Sequence, residues 1–286
     1  MSFITIRKIQ KEHFYISFLH HCICDPFPSS SAYILLFQSR RIGILELQDQ
    51  TSVLIGNLTF IDGLSSTVYH HVLDRLDTYA FIERNYTALV LHIHNEILQD
   101  KMKGHGFLHT GNTYCKVKDP VCTYLSDKSV NPHGYIIHQG QLSIPFSIYT
   151  IKEKGCGFIA TYNLLRTLHI PFSPEHLLHM FEEHLRFKGK FGISFRRIQS
   201  VLETYGVSSH VLTGKKEILS KATTGILLYF HSQGAHYVMY TKLGSRYRFY
   251  NAVYGKREDI RTMKAFIDSQ ALFRFAVAIN IKGDSL

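Results

Sequence analysis

Alternating apolar and polar positions at Phe3-Ile-Thr-Ile-Arg7 predict an opening strand. Residues 12–22 read as a helix, residues 33–37 and 42–47 as a strand pair, and residues 52–61 as another strand. Over residues 66–84 the period changes: apolar side chains at 68, 69, 73, 76, 80 and 81 draw a helical stripe. Thr87-Ala-Leu-Val-Leu-His-Ile93 is a buried strand. Asn95 then stands where it can cap a short helix that stops at Gly104 or Gly106.

Residues 119–134 are rich in turn formers and lack sustained periodicity. Beyond them, Ile159, Ala160, Leu164 and Leu168 recur on one helical face behind Gly155-Cys156-Gly157, and Pro171 closes the helix soon after. Residues 225–231 and 236–241 read as strands joined through Gln233-Gly234-Ala235, and Leu243-Gly244-Ser245 turns the chain into residues 246–253. At 286 residues there is room for two domains. The expected organisation is a mixed α/β domain over 1–118, a linker over 119–134 and an α+β domain, a helix plus antiparallel sheet, over 135–286.

Composition narrows the class. Apolar residues make up 45% and charged residues 19%, the balance of folded globular domains and not of disordered chains. A net charge of +10, with 18 histidines besides, favours an acidic partner. No recognised nucleic-acid module accompanies that charge, so nucleic acid is not the expected partner. The longest apolar runs, such as 225–230, are of strand length, which excludes a membrane-spanning helix. No signal peptide is visible, and five cysteines at irregular spacing suit a reduced, cytoplasmic protein. His20-His21-Cys22-Ile23-Cys24 lacks a second ligand pair, and His176, His179 and Glu182-Glu183-His184 lack a convergent third ligand, so no metal is expected. Arg186, Lys188, Lys190, Arg196 and Arg197, interleaved with Phe187, Phe191 and Phe195, read as a solvated face, with binding of an acidic peptide as the alternative.

The stretch from Tyr86 to Lys116, with Gly104-His-Gly-Phe107 and Gly111-Asn-Thr-Tyr-Cys-Lys116, resembles the last third of the GNAT-type N-acetyltransferase fold. The resemblance covers about the first 118 residues. It implies acyl-CoA, with its pyrophosphate on the N–H groups of a basic, glycine-rich turn. At that place this chain reads Ile61-Asp-Gly-Leu-Ser-Ser66, with one Gly, no Arg and an acidic Asp62. The expectation is a degenerate CoA site, no cofactor, and a domain turned to recognition or assembly, with a CoA-dependent N-acyltransferase in this domain as the alternative.

In the second half, Cys156 sits at the start of a helix, where N–H groups and the helix dipole favour a thiolate. Gly155 and Gly157 would leave room for a substrate backbone. The hairpin has two possible two-residue loops, Leu243-Gly244 or Gly244-Ser245, and either puts His236 and Asn251 on one face. Asn251 could then accept the imidazole N–H and hold its tautomer. Cys156 as nucleophile, His236 as base and Asn251 as orienter make a triad.

Gly155-Cys-Gly-Phe-Ile-Ala-Thr-Tyr-Asn-Leu-Leu165, Gly189-Lys-Phe-Gly192, Gly234-Ala-His-Tyr-Val238 and Phe249-Tyr-Asn251 together resemble the papain-like superfamily, in particular its compact bacterial branch of double-glycine-leader peptidases. The resemblance covers residues 135–286 and implies a cysteine peptidase acting on a peptide or amide. It also implies a Gln shortly before the nucleophile to bind the oxyanion. None stands in residues 147–154, and Gln139 and Gln141 are far upstream, so the N–H of Cys156 with Tyr149 or Lys152 is the expected substitute. The rivals are a thioester-mediated acyltransferase or peptide-modifying enzyme using both domains, and a binding module with an inactive site.

Overall fold

The computed structural model describes residues 4–8, 31–37, 40–60, 64–93, 102, 105–110, 113–126, 128–183, 192–232, 234–252, 258–272 and 275–281. The chain forms two compact units, one of residues 1–123 with 132–134, the other of residues 124–131 with 135–286. Within residues 119–134, Pro120–Tyr124 is a 3₁₀ turn, and Val121 and Val130 are buried.

The first unit is a seven-stranded mixed sheet of β1 (Ile4–Lys8), β2 (Ser31–Phe37), β3 (Arg40–Gln50), β4 (Val53–Phe60), β5 (Ala88–Ile93), β6 (Leu108–Thr110) and β7 (Thr113–Val117). Their order is β1-β2-β3-β4-β5-β7-β6. Only the β4–β5 pair is parallel among these strands, and a parallel pair needs a crossover. The Ser66–Asp77 helix supplies it, burying Val68, Tyr69, Val72, Leu73 and Leu76 on the sheet. The helical stripe expected to continue to residue 84 changes winding instead: Thr78–Glu83 is a π turn. Thr78 bonds its hydroxyl back to the Asp74 carbonyl at 2.9 Å, and the wider turn still buries Ala80 and Phe81. The helix expected at 12–22, the Asn95 cap, Gly104 and the 20–24 cluster lie outside the described residues.

The second unit holds a six-stranded antiparallel sheet, with a small hairpin of β8 (Pro145–Phe146) and β9 (Tyr149–Thr150) ahead of it. Its strands are β10 (Ser209–Thr213), β11 (Thr224–His231), β12 (Gly234–Leu243), β13 (Arg246–Tyr250), β14 (Glu258–Arg261) and β15 (Ala276–Ile281). The order is β10-β15-β11-β12-β13-β14. The Cys156–Thr167 helix packs on one face, where the Thr167 hydroxyl meets Met239 Sδ at 3.9 Å. The Met263–Gln270 helix covers the other, with Phe266 stacked on Phe249 at 3.8 Å and edge-on to Tyr229. Gly225 is required by this packing, because a Cβ there would lie 1.9 Å from the Ile279 carbonyl oxygen.

Candidate active site

Thr150 and Glu153 close a capping box on the single turn Ile151–Lys154, and Gly155 links that turn to the Cys156–Thr167 helix. Both glycines flanking Cys156 serve packing. A Cβ on Gly155 would fall 2.5 Å from Ile151 Cγ2, and one on Gly157 3.0 Å from Ile193 Cβ. The expected room for a substrate backbone at these two positions is therefore already filled by the protein.

Cys156 is half-buried. Burial pushes its thiol above the ordinary 9.0, against the opposing pull of the N–H groups of Tyr237, Gly157 and Cys156 itself and of the Lys154 charge. The sequence reading gave the helix start enough weight to favour a thiolate; desolvation outweighs it. The N–H of Tyr237 is a link that the sequence reading missed. It brings Sγ to the main chain of β12 immediately after His236.

Leu243 pairs with Arg246, so Gly244-Ser245 is the hairpin loop, with Gly244 at φ 59°. His236 faces Tyr229 across the ladder, and its ring stands edge-on to Tyr229 and His231 at 5.7 and 6.1 Å between centroids. Burial lowers the His236 pKa to about 4, and the nearby His231 adds to the fall. Nε2 lies 2.7 Å from the Asn251 main-chain carbonyl oxygen. A carbonyl only accepts, so Nε2 carries the proton and Nδ1 of the neutral ring is left as the basic nitrogen.

Asn251 does meet His236, but not through the expected group. β13 ends at Tyr250, and Asn251 turns into the left-handed region at φ 65°. Strand parity stops applying there. The turn points the carbonyl at His236 and sends the side-chain amide to Gln139, whose N–H donates to Asn251 Oδ1 at 3.0 Å and whose Oε1 accepts from Asn251 Nδ2 at 3.2 Å. Gln139, set aside from sequence as too far upstream, is thus part of the site. Its Nε2 is committed to the carbonyls of Ile151 and Lys152 at 3.0 and 3.2 Å, which leaves it no oxyanion role. Tyr149 lies beneath the Lys154 ammonium, 5.7 Å from ring centre to nitrogen.

Residues 147–249 match the model of the Peptidase C39 family. The match takes in Cys156, His236 and the first helix of the second unit, and it indicates an enzyme domain. A comparison with curated proteins finds no match. Among solved structures, the N-acetyltransferase PseH of Campylobacter jejuni in complex with acetyl coenzyme A is similar at 12% identity over 39% of this chain and 95% of that one, with a TM-score of 0.31. A mutant of the AtaT toxin bound to the C-terminus of the antitoxin AtaR is similar at 14% identity over 40% of this chain and 91% of that one, with a TM-score of 0.27. The second unit therefore carries a Peptidase C39-like domain over residues 147–249.

The other polar clusters divide plainly. His176 and His179 are exposed on the Pro174–Glu182 helix, and residues 184–191, with most of the basic cluster, lie outside the described residues. Arg197 is held by the Met180 carbonyl, a clasp between two helices. Acyl-CoA, the group that the first unit's resemblance implies, would meet the chain at the start of the Ser66–Asp77 helix. The acidic, Arg-free Ile61-Asp-Gly-Leu-Ser-Ser66 sequence does not suit a pyrophosphate, and residues 61–63 lie outside the described residues. Among the described residues no helix is long and apolar enough to cross a membrane.

Proposed function

We propose that the second unit is a cysteine peptidase that cleaves a peptide or amide through an acyl-enzyme on Cys156. His236 Nδ1 takes the thiol proton as Sγ bonds to the scissile carbonyl carbon. The C–N bond then breaks, and the imidazolium returns the proton to the leaving amine. Water hydrolyses the thioester, with His236 again accepting a proton. The N–H of Cys156 is the donor at hand for the oxyanion. Two observations carry this reading: the Tyr237 N–H, next in the chain to His236, is directed at the helix-start thiol, and the Asn251 carbonyl leaves His236 Nδ1 as the base. The charge of +10 suits an acidic peptide.

The test is intact-mass labelling of the full chain with thiol-directed peptide and acyl probes. A stable adduct on the wild type that is absent from Cys156→Ala supports the reading, and equal turnover by both sinks it. Product analysis with added amine separates hydrolysis from acyl transfer. One observation favours a second reading, a binding module with a silent site: burial pushes the Cys156 thiol up. Full resistance of Cys156 to the probes, with peptide binding retained, would select it.

A further inference from the structure

The segment that precedes the catalytic helix is tied to it by buried side-chain bonds. Asn163, on the Cys156–Thr167 helix, accepts from the Ile136 N–H at 2.9 Å and donates to the Ile136 carbonyl at 2.8 Å. Over the next two residues, the N–H groups of Ile137 and His138 both bond the Ser129 carbonyl. Tyr135 stacks on Tyr250 at 4.5 Å between centroids, with the rings 11° from parallel. Gln139 comes next on this anchored segment. Its side-chain Nε2 donates to the carbonyls of the Ile151–Lys154 turn, directly ahead of Cys156, its Oε1 accepts from Asn251 Nδ2, and its main-chain N–H donates to Asn251 Oδ1.

We infer that Gln139 is a positioning residue for the proposed reaction: it holds Asn251 in its left-handed turn, so that the Asn251 carbonyl keeps the proton of His236 on Nε2 and leaves Nδ1 as the base. The inference rests on the peptidase reading for its purpose, but not for its geometry. A non-Gly residue at positive φ is held there by its surroundings, at a cost in backbone strain. Asn tolerates that region better than most residues, and the two bonds to Gln139 are the side-chain interactions that retain it. The chain Cys156 helix, Asn163, Ile136, Gln139, Asn251, His236 therefore places the base relative to the nucleophile, although the two groups lie on separate elements. Loss of the Gln139 amide frees the Asn251 carbonyl and lets the ring redistribute its proton between its two nitrogens.

The experiment uses the full chain with ¹⁵N-histidine, the His236 ring signals being assigned with His236→Gln. Wild type is expected to show the Nε2-protonated tautomer near neutral pH. Gln139→Met keeps the length and removes the three side-chain amide bonds, to Asn251 Nδ2 and to the Ile151 and Lys152 carbonyls, leaving only the main-chain N–H on Asn251 Oδ1; it is expected to show a mixture with Nδ1–H and to alkylate with iodoacetamide about two- to tenfold more slowly at Cys156. If Gln139→Met does not fold, Asn251→Gly removes both bonds to Gln139, keeps the carbonyl and accepts φ 65°. The same mixture is expected of it. An unchanged Nε2–H signal in the variant overturns the inference. A shifted tautomer together with a wild-type Cys156 that no peptide probe labels supports the positioning role and sinks the peptidase reading, so the two failures are distinguishable.

Discussion

Half-buried Cys156 and buried His236 are both driven toward their neutral forms, yet the two regions oppose that drive unequally. Around Cys156 three N–H groups and the Lys154 charge favour the anion, and burial still outweighs them. Around His236 only the Asn251 carbonyl favours the cation, and the pKa falls to about 4. The helix start is thus equipped to receive negative charge, while the hairpin is built to hold an uncharged, oriented imidazole. At neutral pH the two groups rest as thiol and imidazole, so in the proposed reaction the proton moves during the chemical step and not in the ground state.

The largest way to break this comparison is to remove the base. His236→Ala is expected to slow acylation of Cys156 by a peptide probe about 10²- to 10⁴-fold, as read by intact mass. A loss under about threefold would mean that the two regions do not cooperate. Alkylation of wild-type Cys156 by iodoacetamide should rise about tenfold per pH unit and still be climbing at pH 9.0, because fewer than about one thiol in a hundred is ionised at pH 7. A plateau near neutral pH would show that the N–H groups win over burial.

The base region makes a stability prediction of definite sign. The folded pKa of His236 lies below its unfolded 6.5, so the unfolded chain binds the extra proton between pH 6.5 and about 4. Stability should fall as pH is lowered through that window, by at most about 3 kcal/mol from this group, and His236→Gln should flatten the denaturation midpoint there. A wild-type slope retained in His236→Gln would assign the effect elsewhere. Gly155→Ala sharpens the nucleophile side. The added methyl meets Ile151, so a loss of about 1–3 kcal/mol in thermal stability is expected. Loss of peptide affinity without loss of stability would restore the substrate-approach reading. The smallest effect belongs to exposed His179→Ala, within about 0.5 kcal/mol in stability and without effect on labelling.

Much of the architecture was legible along the chain because period and burial agree. Strands stand where they were expected over 33–37, 42–47 and 88–93, as does the helix behind Cys156, with alternate side chains buried along Ala88–Ile93, and the Gly244 turn could be read within one residue. The π turn at Thr78–Glu83 was not legible, since a hydroxyl bonding back to a carbonyl leaves the apolar spacing unchanged.

What the sequence determined by itself is the identity and local setting of the groups: a thiol at a helix start, a histidine at a strand start, and an asparagine just beyond the paired strand. What only the tertiary structure decided is which atoms meet and in what charge state. Asn251 leaves the ladder in a left-handed turn, so its carbonyl takes the place expected of its side chain. Gln139, 112 residues away in the chain, turns out to be its partner. The balance of desolvation against N–H groups at Cys156 is likewise a property of packing. Hydrogen-bond partners distant in sequence and the exclusion of water both arise from chain closure, and neither leaves a period or a spacing to be read.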